Sequence, residues 1–323
     1  MLNLVIWAIR AFYLLSSLAI FAVRLIPALG VRFLVYGART RNPARGSEDR
    51  KSRKQNQPSV GVKFLDYVAT FTVPHSWFTH FYVLSIACSL ACLFTFHQYA
   101  GTTESQDMDI PAFCSMLMLV QGCRRLVECL VLTQPSKSRM WIGHYAIGMA
   151  YYMATNIAIW VEHLHVNLIQ PRRPDLDRNQ GSILWTSKTL ICTIIFFWAS
   201  DRQNLYHRYL SSLKKYTLPE KHAFRWIVAP HYTAEWLIYL SLAFLDAPPS
   251  QQQQQNHHHN LQQYHYNQKP ATTSINWTLF CALVFVTVNL GVTAAGTKEW
   301  LRTKFPDRAW EIIKRWRMIP FVY

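Results

Sequence analysis

Charge is what this sequence has little of. Asp, Glu, Lys and Arg make up 15% of it, against ~25% in an ordinary soluble domain. Most of that charge lies between apolar blocks, which moves the reading to a polytopic membrane protein. Acidic residues are the scarcer sign, 17 against 33 basic, for a formal net charge of +16. So basic a balance raises nucleic acid as a partner. Yet no zinc-finger or RRM-like signature is present, and the basic residues cluster beside apolar runs. Positive loops facing a cytoplasm account for them, and no nucleic-acid partner is expected. Paired cysteines are missing too. Cys88, Cys92, Cys114, Cys123, Cys129, Cys192 and Cys281 form no CxxC pair, are odd in number and all sit in apolar stretches. They read as small packing residues.

What the chain does have is apolar length. A bilayer crossing needs roughly 20 mostly apolar residues, and about seven segments qualify: Leu4–Leu29, Trp77–Phe96, Pro111–Leu132, Met140–Val161, Ile183–Ser200, Trp226–Leu245 and Ile275–Ala295. The expected fold is therefore all-α with about seven transmembrane helices. The first segment is too long for a signal-peptide core and lacks a small-residue cleavage site, so it reads as a retained anchor. Arg10 and Arg24, near its ends, are expected to snorkel. Residues 1–72 read as this anchor plus a basic cytosolic loop, and residues 73–323 as the main membrane domain.

Lys and Arg favour every second loop. The loop from Val31 to Ser76 is strongly basic, the next has no Lys or Arg, and the tail after Thr297 is basic again. The fourth loop is mixed, with Glu162, Asp175 and Asp177 against three arginines. The rule places the N-terminus in the lumen and the C-terminus in the cytosol. The run "QQQQQNHHHN", within a low-complexity luminal loop at 251–268, carries His257, His258 and His259. No functional metal site is expected there.

Ionisable residues inside apolar segments are costly. The stretch "VQGCRRLVECLVL", Val120 to Leu132, holds Arg124, Arg125 and Glu128. A charge near the bilayer centre costs ~2.5–3.5 kcal/mol on the insertion scale. Arg124 and Glu128 are four apart and can pair on one helix face. This is either a structural ion pair at a helix end or a polar cavity that opens to the cytosol and holds an anion. Repetition of the pattern favours the second. In "SDRQNLYHRYLSSLKKY", Leu205, Tyr209, Leu210 and Leu213 form an apolar stripe while Gln203, His207, Lys214 and Lys215 supply donors. A membrane-proximal amphipathic helix also explains that stretch. In "VAPHYTAEWLIYLSLAF", Pro230 opens an apolar helix that carries Glu235 one turn in.

Four stretches, in order, carry a resemblance: "VPHSWFTHFYVLS", "QGCRRLVECL", "PHYTAEWLIYLSLAF" and "TKEWLRTKFPDRAW…IPFVY". Together they resemble the steroid 5α-reductase family, and its polyprenol-reductase branch in particular, over most of the chain from Val73 onward. The resemblance implies a seven-helix oxidoreductase of the endoplasmic reticulum membrane. It implies NADPH in a cavity open to the cytosol and a long-chain polyprenoid lipid arriving from the bilayer. Matched by position, it implies cofactor contacts at Arg125, Gln203, His207, Lys214, Tyr216, His231 and Glu235. Two departures stand out. Lys298 takes the place where the family usually has a histidine, and it supplies a mobile point charge instead of an oriented imidazole. Gly122 falls where the steroid enzymes carry a tyrosine.

Electronics favour an aldehyde substrate. Hydride adds poorly to the isolated alkene of an allylic alcohol. Conjugation to an aldehyde makes the β-carbon electrophilic and lets the developing charge settle on oxygen, where a donor can stabilise it. Lys298, Tyr232 or a bound water are the candidate donors to that oxygen. Glu128, Tyr232, His231 and Glu235 are the candidates for supplying the proton, with Asp109 a faint further match. The rival readings are a trans-2-enoyl-CoA or steroid reductase, a membrane methyltransferase using S-adenosylmethionine, and a non-catalytic lipid-binding protein.

Overall fold

The structure, a computed structural model, describes residues 1–34, 60–100, 109–132, 138–169, 186–214, 217–248 and 274–323. The glutamine-histidine run, most of the first basic loop and Tyr216 lie outside the described residues.

The chain is an all-α membrane protein. Its helices are α1 (Leu2–Leu25), α2 (Pro27–Phe33), α3 (Val60–Thr70), α4 (Phe78–Ala100), α5 (Asp109–Leu132), α6 (Ile142–Ile169), α7 (Ser187–Ser212), α8 (Pro230–Leu245), α9 (Trp277–Lys304) and α10 (Ala309–Lys314). Seven of them, α1 and α4 to α9, occupy the seven apolar segments. Among the described residues, three stretches are long and apolar enough to cross a membrane by length and composition alone: Leu2–Leu25, His75–Gln98 and Trp277–Lys304. Their outward faces stay apolar and uncovered, as at Leu4, Trp7, Leu15 and Leu18 on α1 and Val83, Leu90 and Phe94 on α4. A bilayer, not water, suits such a surface.

Several boundaries differ from the expected ones, each for a local reason. The first segment breaks at Ile26, which is extended, with φ −91° and ψ 107°. Pro27 causes this, because proline pushes the residue before it out of the α region and lacks an N–H. The sixth segment becomes helical only at Pro230, the first helical position. Ahead of it His222–Arg225 form a short 3-10 helix, and Ile227 bridges Trp316 in parallel. The fourth segment continues past Val161 to Ile169, so Glu162 is a buried helix residue and not a loop acid. The expected span at Ile183–Ser200 and the amphipathic stretch after it are one helix, α7. The side chain of Thr186 caps it by accepting from the Thr189 N–H at 3.2 Å.

A short antiparallel ribbon, with no counterpart in the sequence reading, pairs β1 (Thr72–Pro74) with β2 (Arg139–Trp141). It joins the approaches to α4 and α6. Arg139 fastens it by donating to the Thr72 hydroxyl and carbonyl at 2.7 and 2.6 Å.

Two polar clusters lie inside the bundle. The first ties the start of α1 to late α6, the end of α8 and the start of α9. Arg10 does not snorkel; it pairs with Glu162 at 2.7 Å. Glu162 also accepts from the Thr278 N–H at 2.8 Å. His163 lies 3.1 Å from Asp246. Asn276 caps α9 at the Leu279 N–H and donates to Asp246 at 2.9 Å. Burial holds the Asp246 carboxyl up at about 6, despite its His163 and Asn276 partners. The second cluster gathers around Glu235 near the start of α8, roughly 16 Å away along that helix at 1.5 Å per residue.

Candidate functional site

Two helices bring polar stripes into the bundle. On α5, Gln121, Arg124 and Glu128 recur at three- and four-residue steps, so they share a face. On α7, Ser200, Gln203, Asn204 and His207 do the same, and Gln203 is fully buried. The apolar stripe of Leu205, Tyr209 and Leu210 is only half-buried. The inward face of this part of α7 is thus its polar one. A buried polar stripe must meet partners or lose the free energy of desolvation. Here each stripe partners the other.

Glu128 is the hub, with its side chain 4% exposed. Arg124 and Arg125 both pair with it, and Asn204 donates to it at 2.6 Å. The Nδ1 of His207 lies 2.7 Å from Glu128 Oε2 and 2.6 Å from Arg125 Nη1. It donates to the carboxylate when protonated and accepts from the guanidinium when not. Arg125 further donates to the Tyr82 hydroxyl at 2.7 Å, with its guanidinium 5.0 Å from the centre of that ring. Arg124 donates to Gln121 at 2.8 Å and to Gln203. Gln203 carries the network to α8 by donating to Glu235 at 3.0 Å. The His231 ring packs edge-on to His207, with centroids 5.5 Å apart.

Arg125, Gln203, His207, His231 and Glu235, expected as cofactor contacts, therefore meet in one cluster drawn from α5, α7 and α8. Glu128, expected as a catalytic acid, lies at its centre with four partners. Lys214 is exposed beyond the end of α7. Tyr232 packs against Ala229, Ala294 and Met318. The Lys298 ammonium donates to the Ile313 and Arg315 carbonyls at 2.8 and 2.6 Å, which pins the C-terminal segment to α9. Asn204, Gln121 and Tyr82 were missed as members of the network. The helical spacing of Asn204 and Gln121 to charged neighbours was a usable signal. Tyr82, in an apolar segment, offered none. Gly122 marks a close approach of α5 to α4, since a Cβ there would lie 3.1 Å from Ile86 Cγ1.

The cluster has the chemistry to hold an anionic, amide-bearing group. Two guanidiniums, two imidazoles and three primary amides converge, and the carboxylates of Glu128 and Glu235 offset the positive charge. Buried polar atoms remain unspent: the donors Nε of Arg124 and Nε of Arg125, and Nδ1 of His231, make no hydrogen bond among the described residues. Orphaned groups of that kind cost free energy unless a ligand or water meets them.

No protein-family model matches the chain. Curated proteins do. A polyprenal reductase of Saccharomyces cerevisiae is 26% identical over 273 residues, covering 84% of this chain and 83% of its own length. Polyprenal reductase 2 of Oryza sativa subsp. japonica is 26% identical over 340 residues, with 86% of each covered. Polyprenal reductase 1 of Arabidopsis thaliana is 26% identical over 300 residues, covering 78% of this chain and 82% of the plant protein.

Proposed function

We propose that this chain, which belongs to the polyprenal reductase group of the steroid 5α-reductase family, reduces the α-isoprene double bond of polyprenal with NADPH, on the route to dolichol for protein N-glycosylation. The observation that carries the reading is the convergence just described. Five residues that the family pattern assigns to the cofactor are scattered from 125 to 235 in sequence, yet they meet in one cluster, Arg125, Gln203, His207 and Glu235 through its hydrogen bonds and His231 by ring contact with His207. A set of structural ion pairs would have no reason to select those positions.

The orphaned polar atoms fit the phosphates and carboxamide of a dinucleotide. Arg125 and His231 would hold anionic oxygens, and Gln203 and Glu235 the carboxamide. When bound, the cofactor supplies a hydride. Glu128 acts as a positioning residue, since it fixes the rotamers of both arginines and of His207. NADPH is favoured over NADH because an extra phosphate finds basic partners here. We place the enzyme in the endoplasmic reticulum membrane as a seven-span protein. Its Glu128 end and C-terminus face the cytosol, where the cofactor is, and the Glu162 end faces the lumen.

The test uses purified protein and deuterium-labelled NADPH. Polyprenal should yield dolichal labelled at the β-carbon of the α-isoprene unit, with polyprenol inert or far slower. Equal rates with carefully purified polyprenol would refute the enal mechanism. Turnover of only an enoyl-CoA or a steroid enone would refute the substrate.

A further inference from the structure

We propose that residues 318–323 form a re-entrant hook that dips back into the bilayer at the Lys304 end of α9 and lays Phe321 and Val322 against phospholipid acyl chains. Phe321 is 86% exposed and Val322 75%. No residue from 318 to 322 carries an ionisable side chain.

Depth is the first observation. α9 begins at Trp277, a residue type that marks the membrane boundary. Roughly 20 residues, about 30 Å, complete a crossing. That span ends near Gly296, just short of Lys298, Glu299 and Arg302. Gly291 therefore lies roughly five residues, ~8 Å, inside the hydrocarbon. The Tyr323 ring rests on it, since a Cβ at Gly291 would be 3.5 Å from Tyr323 Cε1. The segment thus reaches below headgroup level.

The side of α9 is the second. Phe285 turns toward α1, where it meets the rings of Phe12 and Tyr13. Ala294 turns toward the start of α8, in one core with Ala229 and Met318. Trp277, Val284, Val288 and Gly291 recur at seven-, four- and three-residue steps on a third face. Trp277 is 52% exposed, and Val284 and Val288 are half-buried. This is the face α9 turns outward, continuous with the surface that suits a bilayer, and Tyr323 lies on it.

The backbone is suited to lipid. Non-helical chain at membrane depth must have its polar groups met within the protein. The N–H groups of Arg317 and Met318 donate to the Tyr323 backbone oxygen, both at 3.0 Å. Those of Val322 and Tyr323 donate to the Ile319 carbonyl at 3.3 and 2.9 Å, and Pro320 has no N–H to satisfy. The Met318 carbonyl accepts from the Thr233 hydroxyl at 2.5 Å. Phe321 has φ 62°, a left-handed conformation that favours glycine. Contact with acyl chains gives a bulky aromatic there a purpose that contact with water does not.

Above the hook, Trp310 and Trp316 are exposed beside Lys314 and Arg317. Lys314 Nζ stands 4.4 Å from the centre of the Trp310 ring. Tryptophan with basic side chains is the composition of a headgroup zone. The N–H groups of Val228 and Ala229 donate to the Trp316 and Arg317 carbonyls at 2.8 and 3.2 Å. Lipid contact at the hook therefore braces the start of α8, which carries His231 and Glu235.

The experiment places a photoreactive benzoylphenylalanine at Phe321, Trp7 or Lys221 of the full-length protein in phosphatidylcholine vesicles. Trp7 is exposed on α1, and Lys221 is exposed in the connection between α7 and α8. Irradiation should add the mass of one phospholipid at Phe321, as at Trp7, and none at Lys221. A Phe321 position that captures no lipid while Trp7 does, or that crosslinks a second copy of the chain, would overturn the proposal. A second measurement compares Phe321→Asp with Phe321→Leu. Trypsin supplied to both faces of the vesicle should cut after Arg317 about tenfold faster in Phe321→Asp than in wild type, because a charge is expelled from lipid. Phe321→Leu should match wild type. Equal cleavage in all three would also refute the hook. Neither readout uses NADPH or polyprenal, so its outcome is separate from that of the functional reading.

Discussion

Replacing Glu128 with Gln removes one negative charge and almost no volume, so it isolates what the hub contributes. The carboxylate meets Arg124 and Asn204 through one oxygen and Arg125 and His207 through the other. Glutamine keeps one acceptor, which can still serve Arg124 and Asn204. Its amide nitrogen then turns toward Arg125 and His207. The imidazole can adapt by accepting. The guanidinium cannot, because every polar atom it has is a donor. Two guanidiniums, 18% and 14% exposed, are left with no neutralising charge at their contact. Breaking a buried pair in this way costs ~3–5 kcal/mol, a large part of a typical stability of about 5–15 kcal/mol. For a chain of this size that is a fall in melting temperature of roughly 10 °C. Size-exclusion chromatography of heated, detergent-solubilised protein would read it. Adding Arg124→Gln to Glu128→Gln should recover part of the loss, because it removes one of the stranded charges. A Glu128→Gln protein melting within about 2 °C of wild type would refute the hub, since no rearrangement of a neutral amide replaces a charge shared by two arginines.

Two further outcomes follow from other parts of the molecule. A Cβ at Gly148 would lie 2.6 Å from Phe81 Cζ, and that ring is held between Phe78 and Tyr145. Gly148→Val should therefore cost ~1–3 kcal/mol by overpacking, visible as a lower melting temperature, and an unchanged one would show that α4 and α6 approach less closely. A glycosylation acceptor inserted near Gln253 should be modified while one between Arg41 and Lys54 stays bare, as gel mobility before and after deglycosylation would show. The reverse pattern would overturn both the orientation and the cytosolic cofactor.

Hydropathy and residue type, read along the chain, were enough for the all-α membrane class, the positions of the long helices and the suspicion attached to Arg124, Arg125 and Glu128. Those properties are local. An apolar run reports its own burial, a proline such as Pro230 reports its own helix start, and Arg and Glu at four-residue spacing report their own face. Pro27 was equally local, and its break in the first segment was legible in principle. Gln203, His207 and Glu235 stood out in the sequence as polar groups in apolar surroundings, but their role as cofactor contacts came from the resemblance, because nothing within their own segments says which polar residues will meet. The tertiary structure decided that. Packing α5 against α7 set one polar stripe on the other, and packing α7 against α8 let Gln203 reach Glu235. The same holds for Arg10 with Glu162, two residues that a linear reading sends to opposite surroundings, one to the interface and one to a loop.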